Sequence, residues 1–304
     1  MPKARTLTFY LDDGLRQSAE AGTHNFIGKV AGVARSAGLD VDYRPNTMAG
    51  RLGSALRSGY AMFHMDDPSH ARALTMRRVY HYPFWQIESS ARRWDWHVTK
   101  TAFDPADVDP EEAGRFHAFW RKRLFPSAPP VGAGGFVYVP LQGRLTEHRS
   151  FQTASPLAMI EAVLQHDPGR PVIATLHPNE IYTEAEKQAL SRLAAQHPRL
   201  TVETGGMETR LPACDYVVTQ NSSVAFNGIF FDKPMILFAQ VDFHHIAANV
   251  RDLGVAAAFD AVWDMRPDYA AYLWWFWQKM SINAGRPEAH ERIREAMLRA
   301  GWLV

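Results

Sequence analysis

The pattern of hydrophobic and polar positions opens with an apolar run, Thr6 to Leu11, that is typical of a buried strand. Apolar positions at helical spacing follow from Phe26 to Ala37 and end at Gly38, and Leu39 to Tyr43 predicts a second strand. A strand, helix and strand in this order are typical of a parallel, doubly wound sheet, which binds ligands at the carboxyl ends of its strands. Residues 12–25 are therefore expected to lie at such an edge.

From residue 136 onward, strands and helices alternate regularly. The predicted strands are Phe136 to Pro140, Pro171 to Leu176, Leu200 to Glu203, Tyr216 to Thr219 and Met235 to Ala239. The predicted helices are Pro156 to Gln165, Glu184 to Gln196 and Ser223 to Phe231. This alternation indicates βαβ units and a second parallel sheet. The segment 51–125 predicts only mixed structure, with a Pro- and Asp-rich turn before a helix near residue 112.

A Pro- and Gly-rich stretch, residues 127–135, predicts a linker between two lobes. The fold class is therefore predicted to be α/β with two Rossmann-like lobes and an active site in the cleft between them. The predicted domains are an N-terminal lobe at 1–126, a nucleotide-binding lobe at 136–268, and C-terminal helices at 269–304 that can cross back to the first lobe.

Composition limits the function classes. The 304 residues, of which 46% are hydrophobic, can form two modest cores, and the lone Cys214 excludes an internal disulfide. No signal peptide is predicted, and the apolar run Tyr269 to Trp277 is too short to span a bilayer, so the expected location is the cytoplasm. The net charge of +1 favours no nucleic-acid partner. Arginine clusters are expected to be solvated, with peripheral membrane association as the alternative.

Two segments at predicted strand ends are candidates for binding an anion. Gln220-Asn221-Ser222-Ser223 follows a strand and opens a helix, where hydroxyls and free N–H groups favour phosphate; the alternative is an ordinary helix cap. His177-Pro178-Asn179-Glu180 follows another strand, and Pro178 turns the chain outward so that His177 lies at the rim. A rim histidine can donate a hydrogen bond to a phosphate oxygen, although a histidine satisfied by nearby backbone is more common.

These segments carry a family resemblance. Phe136 to Gln142, His177-Pro178, Asn221 to Ser223 and Asp232-Lys233-Pro234 together resemble the capsular-polysaccharide-type Kdo transferases and the bacterial sialyltransferases, which are GT-B enzymes that use CMP-sugars. The resemblance covers about residues 136–245. It implies two lobes with the donor in the cleft and CMP contacts from His177, Ser222 and Ser223. The predicted donor-binding residues are Gln142, His177, Pro178, Glu180, Gln220, Asn221, Ser222, Ser223 and Asp242.

Asp12-Asp13-Gly14 matches the acidic pair that supplies the general base in bacterial sialyltransferases, although it lies earlier in the chain than that motif usually does. Carboxylates at a cleft edge suit a proton acceptor for a sugar hydroxyl; the alternative is a solvated turn. We therefore predict Asp13, Asp12 and His177 as catalytic residues. His24 and Asn25 are predicted to bind the acceptor, with capping or packing as the alternative.

One position departs from the family pattern, because related transferases tend to have a glutamate where this chain has Asn227. This puts base or ribose recognition in doubt. No metal and no other cofactor are predicted, since the adjacent His244 and His245 lack the spacing of a zinc pair.

The sequence thus predicts a metal-independent glycosyltransferase that moves a sugar, such as Kdo or another acidic sugar, from a CMP-sugar to a glycan or glycolipid hydroxyl. Two alternatives stay open at this point. One is an epimerase or hydrolase of similar fold, and the other is a non-catalytic protein that binds a nucleotide or a glycan.

Overall fold

The structure, a computed structural model, describes residues 6–303. Two compact units divide the chain: unit 1 comprises residues 6–101 and 275–303, and unit 2 comprises residues 102–274. Residues 102–126 pack in unit 2, upstream of the predicted linker, because the helix Pro110–Leu124 lies against the helix Tyr269–Trp274. His117 in the former also donates a hydrogen bond from Nε2 to the carbonyl of Ile229 at 3.0 Å.

Unit 1 is built on a six-stranded, largely parallel sheet. Its strands are β1 (Thr6–Leu11), β2 (Asp40–Pro45), β3 (Tyr60–His64), β4 (Ala73–Arg78), β5 (Phe84–Glu88) and β12 (Ile282–Asn283), in the order β12-β5-β4-β3-β1-β2. Strands β1 to β4 run parallel, while β5 is antiparallel to β4 and β12 is antiparallel to β5. The carboxyl ends of β2, β1 and β3 therefore lie side by side.

The helices of unit 1 bury the apolar faces of this sheet. They are Asp13–Glu20, Asn25–Ser36, Met48–Ser54 and Ala289–Arg299, with a π-helical turn at Trp275–Lys279 and short 3₁₀ turns at Arg93–Asp95 and His97–Lys100. Phe26 stacks on Trp85 with ring centroids 4.5 Å apart, and Met297 and Trp302 of the C-terminal segment lie in the same core. The C-terminal segment, predicted as mostly helical, also contains the short edge strand β12.

Unit 2 contains the second sheet, in which all six strands are parallel. The strands are β6 (Val137–Pro140), β7 (Val172–Leu176), β8 (Leu200–Thr204), β9 (Tyr216–Thr219), β10 (Met235–Leu237) and β11 (Ala248–Asn249), in the order β11-β10-β9-β6-β7-β8. The chain runs outward from β6 to β8 and then returns to β9 on the other side of β6. This reversal places the topological switch point, where doubly wound sheets bind ligands, between β6 and β9.

The helices of unit 2 cover this sheet, whose central strands β6 and β9 are buried throughout. The α-helices are Pro110–Leu124, Pro156–His166, Glu184–Gln196, Met207–Ala213, Ser223–Asn227, Val250–Leu253, Val255–Ala261 and Tyr269–Trp274. Short 3₁₀ turns lie at Pro105–Asp107, Gly228–Phe231 and His244–Ile246. The predicted helix 223–231 is thus an α-helix followed by a 3₁₀ turn, and the helix Met207–Ala213, which is not among the predicted helices, lies between β8 and β9.

The predicted fold class is confirmed, because the chain is α/β with two six-stranded, largely parallel sheets. Within residues 6–303, no helix combines the length and the apolar character needed to cross a membrane.

Candidate functional site

The predicted donor-binding residues follow neighbouring strands of unit 2. Gln142 lies beyond β6, His177 follows β7, and Gln220 follows β9. Because the sheet order is β10-β9-β6-β7, these strand ends are adjacent. We call the residues that follow β6, β7, β9 and β10 the unit 2 edge.

The segment after β9 combines a helix cap with a buried amide. Ser222 is buried and caps the helix Ser223–Asn227 by accepting a hydrogen bond at Oγ from the N–H of Val224 at 3.2 Å, whereas Ser223 is exposed. Gln220 is 2% exposed and donates from Nε2 to the carbonyl of Ala154 at 3.1 Å. Its Oε1 is enclosed and has no hydrogen-bond partner among residues 6–303. An acceptor that the fold leaves unsatisfied needs another partner, such as a ligand or an ordered water.

His177 lies at the rim, as predicted. Its side chain is exposed, and Nδ1 accepts a hydrogen bond from the N–H of Asn179 at 3.2 Å. The proton of the neutral ring is therefore on Nε2, which can donate to an anion. The N–H of His177 donates to the hydroxyl of Tyr182 at 2.9 Å, which fixes the loop. The exposed Pro178 lies in the same loop.

The loops after β6 and β7 approach each other closely. Oε2 of Glu180 lies 2.7 Å from the position that a Cβ at residue 143 would take, so this carboxylate lies directly beside Gly143. The neighbouring Gln142 has an enclosed Oε1 without a hydrogen-bond partner in the described part of the chain. Gln142 and Gln220 thus supply two unused acceptors on either side of the switch point.

Two further positions of the unit 2 edge are buried. Asp242 is fully buried, and burial together with the charge of Asp242 raises the pKa of Tyr272 well above its usual value. Burial lowers the pKa of His244, an effect that the carboxylate of Asp242 opposes. Asn227, the departure from the family pattern, is 8% exposed. Direct contact of Asp242 with a donor stays a prediction.

A second polar cluster lies where β1, β2 and β3 end, and we call it the unit 1 edge. Oδ2 of Asp12 lies 3.4 Å from Nδ1 of His64, and Oδ1 accepts a hydrogen bond from Nδ2 of Asn46 at 3.3 Å. Asn46 also donates to Oδ2 of Asp66 at 2.8 Å, and Arg51 donates to Oδ1 of Asn46 at 2.7 Å. Asp12 is thus held on both oxygens while 66% of its side chain stays exposed.

His64 has the properties of a neutral proton acceptor. Its side chain is 18% exposed, and burial lowers its pKa, an effect that hydrogen bonding to Asp12 opposes. With Nδ1 facing Asp12, the free position is Nε2, which is not enclosed and makes no hydrogen bond within residues 6–303. The pair resembles the aspartate-oriented histidines that act as general bases.

The structure separates the two predicted carboxylates. Asp12 belongs to the network, whereas the side chain of Asp13 is 81% exposed and, within residues 6–303, pairs only with Arg16, at 3.5 Å. His24 caps the helix Asn25–Ser36 through Nδ1, and Asn25 donates from Nδ2 to the hydroxyl of Tyr82 and to the carbonyl of Ala284. His24 and Asn25 therefore fill the capping and packing roles that were the alternative, and acceptor binding by them stays a prediction.

His64 and Asn46 are not among the site residues predicted from the sequence. Asn46 lies just beyond the predicted strand Leu39 to Tyr43. His64 lies in the segment 51–125, where the pattern predicted only mixed structure. The available signal was the apolar run Ala61 to Phe63 followed by His64, which places a histidine at the end of a buried strand. Among residues 6–303, no group of three or more histidine, cysteine or acidic side chains is arranged to hold a metal ion.

Comparison with known proteins gives evidence about the fold. No protein-family model matches the chain, and no match was found among curated proteins. Among solved structures, Thermosulfurimonas dismutans KpsC, described as a beta Kdo 2,7 transferase, aligns with a TM-score of 0.50 and 10% identity over 88% of each chain. The chain shares the fold of this Kdo transferase.

A second structure of T. dismutans KpsC, described as a beta Kdo 2,4 transferase, aligns with a TM-score of 0.48 and 14% identity over 88% of this chain and 89% of that chain. The predicted resemblance to Kdo transferases is confirmed at the level of the fold. At such low identity the likeness does not extend to the donor, the acceptor or the reaction.

Proposed function

We propose that the protein is a glycosyltransferase that takes a sugar from a nucleotide-linked donor, with a CMP-linked acidic sugar as the favoured donor. The observation that carries this proposal is the unit 2 edge. Its switch point is flanked by the unused acceptors of Gln142 and Gln220, by the rim imidazole of His177 and by the hydroxyl of Ser223. Doubly wound sheets bind nucleotides at this place.

The proposed donor contacts follow from the hydrogen-bonding capacity of each group. The Nε2–H of His177 and the hydroxyl of Ser223 are donors that stabilise the charge on a departing phosphate. The amide oxygens of Gln142 and Gln220 accept hydrogen bonds from ribose hydroxyls or from the amino group of a base. Because these protein groups offset the phosphate charge, the transfer needs no metal ion, and EDTA should leave turnover unchanged.

The unit 1 edge supplies the proposed proton acceptor. The acceptor hydroxyl of a glycan or glycolipid attacks the anomeric carbon, forming the new C–O bond while the bond from that carbon to the phosphate oxygen breaks. The hydroxyl proton passes to the pair formed by His64 and Asp12, and the electron pair of the broken bond leaves on the nucleotide phosphate. A neutral His64 that Asp12 orients suits this role at neutral pH.

Calorimetric binding of CMP, UMP, UDP and GDP tests the donor class. We expect CMP to bind most tightly, and we expect His177→Ala and the double variant Ser222→Ala, Ser223→Ala each to weaken CMP binding. Asp13→Asn is the matched control, since among the described residues the carboxylate of Asp13 pairs only with Arg16. A preference for a diphosphate would replace the donor class, and no binding of any nucleotide would refute the proposal.

Turnover measurements separate transfer from the alternatives. With donor and acceptor together, the proposed enzyme releases nucleotide and forms a glycoside, whereas donor alone is converted slowly. Rapid conversion of donor without acceptor would instead indicate an epimerase or hydrolase. Tight donor binding without turnover across a panel of acceptors would indicate a non-catalytic protein.

A further inference from the structure

The loop that follows β6, residues 141–155, carries polar groups that none of the roles above explains. We call it the β6 loop. It is well anchored: the N–H of Thr153 donates to the carbonyl of Phe238 at 2.7 Å, and the N–H of Gln240 donates to the carbonyl of Phe151 at 2.9 Å. The groups on this loop are therefore held in place.

Arg149 on this loop is a partly buried cation that makes no direct ion pair within residues 6–303. No carboxylate within residues 6–303 pairs with its guanidinium, and its Nε is enclosed without a hydrogen-bond partner. The guanidinium lies over the ring of Phe151, 4.8 Å from the centroid. Burial lowers the pKa of Arg149, and the nearby charge of Arg144 acts in the same direction, whereas the carboxylates of Glu147 and Glu180 oppose both effects from a longer distance. An unpaired charge in such surroundings destabilises the free protein.

Gln152 adds a second unused donor three residues further on. It is 6% exposed, and its Oε1 accepts a hydrogen bond from the N–H of Arg149 at 2.8 Å, so the orientation of the amide is fixed. Its Nε2 is enclosed and has no partner in the described part of the chain. A cation and an oriented N–H donor in one anchored loop, both unused, are complementary to an anion.

The β6 loop also adjoins the predicted donor segment. Nε2 of Gln220 donates to the carbonyl of Ala154 at 3.1 Å, which joins the loop to the end of β9 at the switch point. We propose that Arg149 and Gln152 form an anion subsite that binds a phosphate or carboxylate group of the donor. This assignment rests on the proposed function for the identity of the donor, whereas the anion-binding capacity rests on the loop itself.

Calorimetry with three ligands tests the subsite and identifies its anion. Cytidine, CMP and CMP-N-acetylneuraminic acid, a CMP-linked sugar acid, are titrated into the wild type, Arg149→Gln and Arg144→Gln. Arg144 is the matched control, because its side chain is 64% exposed and already pairs with Glu147 at 3.1 Å. We expect Arg149→Gln to bind an anionic ligand about tenfold or more weakly than the wild type, because the variant loses a charge-assisted hydrogen bond. Arg144→Gln should bind like the wild type.

The three ligands distinguish the sources of the anion. If Arg149→Gln already binds CMP more weakly than the wild type does, the subsite binds phosphate. If only the affinity for the CMP-linked sugar acid decreases, the subsite binds carboxylate. Cytidine affinity should not change in either case. Equal affinity of Arg149→Gln and the wild type for all three ligands overturns the subsite.

The stability of the free variants excludes a purely structural role. Removing an unpaired, partly buried charge should leave the melting temperature of ligand-free Arg149→Gln equal to or above that of the wild type. A marked decrease would show that Arg149 stabilises the fold and would contradict the subsite. Gln152→Glu, which places a carboxylate beside Arg149, should reduce anion affinity while the protein stays folded.

Failure of the proposed function can be recognised separately. If the wild type binds none of the three ligands, the donor class is wrong, and inorganic phosphate then serves as the probe. A phosphate-induced rise in melting temperature that is smaller in Arg149→Gln supports the subsite. No difference between the two proteins overturns it.

Discussion

The polar clusters at the carboxyl edges of the two sheets differ in how far their side chains satisfy one another. In the cluster of the unit 1 edge, Asp12 contacts both His64 and Asn46, and Asn46 contacts Asp66, although Oη of Tyr10 and Nε of Arg16 nearby are enclosed without a partner in the described part of the chain. At the unit 2 edge, enclosed polar atoms of Gln142, Arg149, Gln152 and Gln220 lack partners within residues 6–303.

This difference fits the two tasks that we propose for the edges. A network that is complete before a ligand binds holds one reactive group in a fixed orientation, which general acid–base chemistry requires. Enclosed donors and acceptors without partners destabilise the free protein and are satisfied when a ligand binds. The unit 1 edge thus suits proton transfer, and the unit 2 edge suits recognition.

The largest expected effect comes from breaking the unit 1 network at its carboxylate. Asp12→Asn removes the group that orients His64, so kcat should fall by about 10²–10⁴-fold, the range for loss of general base catalysis. CMP affinity should not change, because the proposed nucleotide contacts lie in unit 2. Steady-state kinetics with donor and acceptor, together with calorimetry, measure both quantities.

Asp13→Asn is the matched control for this prediction. Asp13 is exposed and pairs only with Arg16, so its replacement should change kcat by less than about threefold, as expected for an exposed ion pair. Comparable losses of kcat in Asp12→Asn and Asp13→Asn would show that the contacts of Asp12 with His64 and Asn46 do not give it a special role.

Glu88 is a buried carboxylate of unit 1 with few partners, and it shows how an incompletely paired buried group affects stability. Glu88 is 8% exposed and accepts a hydrogen bond from the N–H of His97 at 3.1 Å; burial raises its pKa from 4.5 to about 7, against that hydrogen bond. The folded state holds this proton more tightly than the unfolded state, so stability is lost as pH rises from about 4.5 to about 7.

Glu88→Gln removes the ionisation without changing the shape of the side chain. Relative to the wild type, its free energy of unfolding should increase by about 3 kcal/mol between pH 4.5 and pH 8, at about 1.36 kcal/mol per pKa unit. Urea unfolding at the two pH values measures this difference. A difference that does not depend on pH would show that the Glu88 carboxylate is stabilised equally in both states.

On the unit 2 edge, His177→Ala tests recognition. Loss of the Nε2–H should weaken CMP binding by about ten- to a hundredfold, as for a hydrogen bond to a charged group, and should leave cytidine binding unchanged. Equal losses for CMP and cytidine would place His177 away from the phosphate.

The pH dependence of turnover tests His64. Burial lowers its pKa below 6.5, so the neutral base should persist under mildly acidic conditions, and kcat should fall only as pH drops through that lowered pKa. His64→Gln should remove this acid limb and reduce the plateau rate. If the limb persists in His64→Gln, the titrating base is a different group.

Much of the fold could be predicted from the sequence, because buried parallel strands form short apolar runs. The strands from Thr6 to Leu11 and from Tyr216 to Thr219 lie where their patterns placed them. By contrast, β12 has only two residues and forms by pairing with β5, a contact between distant parts of the chain that no local pattern encodes.

The candidate site was predictable where residues follow strongly apolar strands, as for His177 and Gln220. The network of Asp12 was not, since Asn46, His64 and Asp66 come together only through the strand order β3-β1-β2. The unused donors of Arg149 and Gln152 were also beyond prediction, because whether a side chain is paired depends on packing rather than on residue type.

Amide hydrogen exchange with and without CMP would locate the nucleotide without assuming a reaction. If the unit 2 edge is the donor site, CMP should slow exchange in the β6 loop and in residues 177–182 and 219–224 of unit 2, with no change at Asp12, Asn46 and His64. Protection confined to the unit 1 edge, or no protection anywhere at saturating CMP, would contradict the assignment of the unit 2 edge as the donor site.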